Sequence, residues 1–72
     1  MVKEIDKALV AEARAALRRY MQRRRKAGET VTIEESLYHE GLSNLRCVLK
    51  IDGVSCRMYY RQAEGRWEKA SR

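Results

Sequence analysis

The chain predicts an α+β fold, a long N-terminal helix packed on one face of a three- to four-stranded antiparallel β-meander. Three observations carry that expectation: residues 3–27 lack glycine and proline and repeat apolar residues at helical spacing; Asp52-Gly53 joins two alternating runs; and those runs are oily on one side only. Seventy-two residues are read as one domain. A chain of this size buries only about 60% of its unfolded surface, so its core has to be compact. Apolar residues at 44% beside charged residues at 36% fit a folded domain rather than a disordered one.

The helix comes first. Val2, Ile5, Leu9, Ala13, Ala16, Leu17, Tyr20 and Met21 recur at its period, in a stretch rich in Ala, Leu, Arg, Glu and Lys. Gly28 is placed to end it. Glu4, Asp6 and Glu12 lie early and Arg18, Arg19, Arg23, Arg24, Arg25 and Lys26 late, an order that complements the helix dipole. At 1.5 Å per residue the helix would be about 36 Å long, against about 23 Å for a seven-residue strand, so one end should overhang the sheet.

A first strand is expected at residues 30–38, with Val31, Ile33 and Leu37 on one side and Thr30, Thr32, Glu34, Ser36 and Tyr38 on the other. Glu35 breaks the pattern by falling on the apolar side. His39 to Asn44 reads as a polar connection. Strands at 45–51 and 54–61 follow. A two-residue Asp-Gly turn pairs Ile51 with Val54 and Arg46 with Tyr59, which puts Leu45, Cys47, Leu49 and Ile51 on one face with Val54, Cys56, Met58 and Tyr60. Arg46, Val48, Lys50, Ser55, Arg57, Tyr59 and Arg61 take the other. After a turn at 62–65, a short strand at 66–69 sets Trp67 opposite Tyr60 and closes one end of the core.

Sixteen Lys and Arg against ten Asp and Glu give a formal charge of +6 and a pI near 9.8, a balance that favours polyanions or acidic protein surfaces. Arginines outnumber lysines, and a guanidinium can fork a phosphate and stack on a flat ring. The sheet face carrying Arg46, Lys50, Arg57 and Arg61 around Tyr59, with Tyr38 near, combines rings for stacking on bases with cations for phosphates. Arg18, Arg24 and Arg25 extend that basic footprint from the helix end. Lys7, Arg14, Arg18 and Arg25 also fall along one line of the helix, bordering its apolar stripe.

The leading expectation is a small non-enzymatic module that binds nucleic acid, RNA or DNA. The alternative is an adaptor or inhibitor, such as a phage-encoded one, that binds an acidic protein surface through the same residues, as a homodimer if the open sheet face pairs. His39 beside Glu40 has no nucleophile or base set around it, so an enzyme is not expected. Cys47 and Cys56 lie in paired strands without the close ligand pairs of a zinc site, and the four glycines are scattered, so neither a metal, a cofactor nor a phosphate-cradling loop is expected. With no apolar run long enough to span a bilayer, no signal peptide and two cysteines read as reduced, the chain is expected in the cytoplasm, away from membranes.

Overall fold

The computed structural model describes residues 7–40 and 44–70. The expected helical residues 3–6, the side chains of His39 and Glu40, and the connection at 41–43 lie outside those described. Within them the chain forms α1 (Lys7–Lys26), β1 (Val31–Glu40), β2 (Asn44–Ile51), β3 (Val54–Arg61) and β4 (Arg66–Lys69). The four strands form one antiparallel sheet in the order β1-β2-β3-β4. The helix packs on one face, giving the expected α+β fold.

In α1 the residues Ala13, Ala16, Leu17 and Met21 are buried, with Leu9, Val10 and Tyr20 packed around them. Small Ala13 and Ala16 at the middle of the stripe let the axis lie close to the sheet. The helix ends in a Schellman cap. The Glu29 N–H donates to the Arg24 carbonyl at 3.1 Å and the Gly28 N–H to the Arg25 carbonyl at 3.0 Å, which satisfies carbonyls the last turn leaves without partners. Gly28 sits at φ 97°, in a region where a side chain would crowd the following carbonyl.

The Asp52-Gly53 turn has φ 52° and 83° at its two central residues, the left-handed pair that matches the twist of the flanking strands. It sets the β2–β3 register as the sequence predicts, with Arg46 opposite Tyr59, Cys47 opposite Met58 and Ile51 opposite Val54. Asp52 also anchors β1: its N–H donates to the Thr30 carbonyl at 2.8 Å, and its carboxylate accepts from the Thr30 N–H at 2.9 Å. Across β3 and β4, Tyr60 pairs with Trp67 and Arg61 with Arg66. The two aromatic rings tilt against each other at 5.4 Å.

The first strand departs from simple alternation. Its register against β2 shifts between Ile33 and Glu35, and again between Glu35 and Tyr38. Each shift is a bulge that sets extra residues against one partner. The first turns Glu35 onto the open face, opposite Val48; the second places Ser36, expected on the outer side, together with Leu37 beside the helix. Glu35, out of place in a two-residue period, is therefore accommodated by a break in that period.

Leu45, Cys47, Leu49 and Met58 are almost completely buried, and no polar or charged residue is buried among the described residues. Polar groups fasten the seam at its edges. The Trp67 indole N–H donates to the Ala13 carbonyl at 2.8 Å, and the Tyr60 hydroxyl to the Glu12 carboxylate at 2.6 Å. At the other end of α1, the Arg25 guanidinium donates to the Val31 carbonyl at 2.8 Å. The helix thus crosses the sheet from β4 to β1, leaving the opposite sheet face uncovered by any described element. Both cysteines are free; burial pushes the Cys47 thiol up to about 12.

Candidate functional site

The open sheet face brings together the residues expected there. Arg46 lies with its guanidinium 5.9 Å from the centre of the Tyr59 ring, close enough for a cation–π attraction. The Tyr59 hydroxyl donates to Glu68 at 3.1 Å, because β4 sets Glu68 directly opposite Tyr59. Glu68 and Glu64 then engage two arginines. Arg61 reaches Glu64 at 3.1 Å and Glu68 at 3.5 Å, and Arg66 reaches the same carboxylates at 2.9 and 2.8 Å.

Titration tendencies express the same network. Partial burial alone would raise the Glu68 carboxyl, but the Tyr59 hydroxyl and the guanidinium groups of Arg66 and Arg61 outweigh it and hold it below the usual carboxylate range. Glu64 and then Glu68 raise Arg61 in turn. Tyr59 and Arg61 are therefore already engaged. The rest of the face surrounds a depression of about 610 Å³ whose lining includes Glu34, Glu35, Tyr38, Arg46 and Arg57, with the Ser55 hydroxyl donating to Glu34 at 2.5 Å. The side chains of Lys50 and Arg57 make no hydrogen bond or ion pair among the described residues. The face is of mixed sign.

The helix differs. Arg24 is held in place, its Nε–H donating to the Tyr20 hydroxyl at 3.1 Å, its guanidinium 5.2 Å from that ring and paired with Glu29 at 3.1 Å. The Tyr20 hydrogen bond leads, with Glu29, in raising its pKa against the pull of desolvation. Arg25 is tied to Val31 as described. Both arginines serve the cap and the chain entry into β1. Arg18 is exposed, and so are Arg14, Arg19, Arg23 and Lys26, none of whose side chains makes a hydrogen bond or ion pair among the described residues.

Lys7–Lys26 holds eight Lys or Arg and one Glu, a formal +7, whereas Val31–Lys69 holds six of each sign. The full positive excess of the chain resides on α1. Arg19, Arg23 and Lys26 thus join Arg18 as candidate contacts, and the signal that finds them is charge tallied by element instead of by chain. The sheet lies between this helix surface and the open face, so Arg18 does not continue the footprint of Arg46 and Arg57. The two surfaces look in opposite directions.

A second opening lies between α1 and β1. It is a groove of about 210 Å³ lined by Arg14, Leu17, Arg18, Met21, Ile33, Ser36 and Leu37. Among the described residues no group of His, Cys, Asp and Glu is arranged to hold a metal, and no helix is long and apolar enough to cross a membrane. No protein-family model, curated protein or solved structure matches the chain.

Proposed function

We propose that this chain is a small non-enzymatic nucleic-acid-binding module that grips the phosphate backbone through the exposed face of α1, with Arg18, Arg19, Arg23 and Lys26 as its principal contacts. The observation that carries this reading is the +7 helix beside a neutral sheet. Uncompensated cations attract a polyanion and release its counterions on contact, whereas cations already paired with carboxylates must first exchange partners. Arg14 to Lys26 spans about 18 Å of helix axis, along which duplex DNA presents a charge about every 1.7 Å. Arg46, Lys50, Arg57, Tyr59 and Arg61 form a secondary surface, where Arg57 and Lys50 are the available cations. Free Cys47 and Cys56 fit a reducing compartment such as the cytoplasm.

The test is affinity for single- and double-stranded 20-nucleotide probes across a salt series. The wild-type affinity should fall steeply with salt, in proportion to the phosphates contacted. Arg19→Glu/Arg23→Glu should weaken binding at least tenfold and flatten that slope, while Arg57→Glu should change affinity by about twofold or less. Equal losses from both variants, or binding indifferent to salt, would overturn the assignment to the helix.

A further inference from the structure

The groove between α1 and β1 has chemistry that phosphate binding does not use. Its floor is aliphatic, from Leu17, Met21, Ile33 and Leu37, and Ile33 remains 49% exposed although it pairs opposite fully buried Leu49. One rim carries Arg14 and Arg18, one helical turn apart, their side chains without hydrogen bonds or ion pairs among the described residues. Among the described residues, Ser36 is the other polar lining residue and no carboxylate lines the groove. Apolar side chains flanked by acidic ones are the complement of such a surface.

The backbone narrows the form of the occupant. Beside the groove, β1 is an edge strand, a place where an extended peptide could add to a sheet. Its two bulges break the regular ladder there, and bulged edges resist strand addition. Docking by side chains is left, and a helix presents them at the one-turn spacing of Arg14 and Arg18. A second copy contributing its own α1 would bring +7 against +7 and be repelled.

We propose that this groove docks an acidic amphipathic helix of a partner protein, seating its apolar anchors between Leu17, Met21, Ile33 and Leu37 and its carboxylates on Arg14 and Arg18. The site shares Arg18 with the proposed phosphate surface and is otherwise separate from the outward contacts of Arg19, Arg23 and Lys26, and the inference does not depend on nucleic-acid binding.

The experiment selects from a display library of helical peptides, randomised at their exposed positions, on the immobilised full chain. Recovered sequences should carry apolar residues one turn apart beside Asp or Glu. A synthetic copy should bind about tenfold more weakly to Arg14→Glu/Arg18→Glu and severalfold more weakly to Ile33→Thr. These residues are exposed or half-exposed, and circular dichroism verifies that each variant remains folded. Oligonucleotide binding should be untouched by Ile33→Thr, and peptide binding untouched by Arg19→Glu/Arg23→Glu, which separates failure here from failure of the phosphate reading. Selection yielding no groove-dependent binder, or only basic or uncharged ones, would overturn the proposal. So would loss of oligonucleotide binding in Ile33→Thr, which would give the groove to nucleic acid, or a mass that halves in that variant, which would give it to a second copy.

Discussion

The helix and the sheet hold similar numbers of cations and use them in opposite ways. Eight Lys or Arg in α1 face one carboxylate of the same element, Glu12, and it accepts from Tyr60. Six in the sheet region meet six acids, and cross-strand geometry brings some of them into contact. Paired strands put opposite residues about 5 Å apart, so Glu68 reaches Tyr59, Arg61 and Arg66 together. A charged surface available to a ligand therefore depends on which elements share their countercharges, more than on how many arginines the chain contains.

Removing the element that holds the two regions together gives the largest expected effect. Trp67→Ala removes a 3% exposed side chain and its bond to Ala13; it should cost about 3–5 kcal/mol and lower the urea midpoint sharply. A smaller loss would mean that the helix docks chiefly through its Leu17 and Met21 contacts. Next comes the alkaline limb. Burial raises the Cys47 thiol from 9.0, and burial followed by Glu12 raises the Tyr60 hydroxyl from 10.0, both to about 12. Folded values above unfolded ones mean stability that is fully present below about pH 9 and is lost as pH rises toward 12. Urea titrations between pH 8 and 12 should show this decline, and Tyr60→Phe should reduce its slope while the Cys47 part remains.

Gly28→Ala places a β-carbon in the left-handed cap and should cost about 1 kcal/mol, read as a lower thermal midpoint. Glu64→Gln/Glu68→Gln should leave thermal stability nearly unchanged, because exposed ion pairs contribute little, yet free Arg61 and Arg66 and strengthen oligonucleotide binding at low salt. An unchanged affinity would mean that the open face takes no part even when its cations are released.

Much of the fold was legible in the residues. Asp52-Gly53 dictates its own turn conformation, and from it follow the β2–β3 register and the two faces of the hairpin. Trp67 against Tyr60 followed from a four-residue loop. The bulges of β1 were not legible: an unbroken alternation puts Glu35 inward and Ser36 outward, the structure reverses both, and which side each takes depends on pairing with β2. On the open face, the register that paired Arg61 with Arg66 already set Glu68 beside Tyr59. A platform of cations alone does not form there, because the register that turns Trp67 inward turns the Glu68 carboxylate outward beside Tyr59. Arg24 and Arg25 looked like ligand contacts because a string of letters does not reveal that Tyr20, Glu29 and a Val31 carbonyl already claim them.

Trp67 is the single indole of the chain, and its N–H ends on a helix carbonyl. Its emission is therefore a built-in optical gauge of whether the rod is seated on the sheet. A red shift without loss of helical ellipticity would register the basic arm lifting away intact, and could be followed in the stopped-flow cell without attaching any dye.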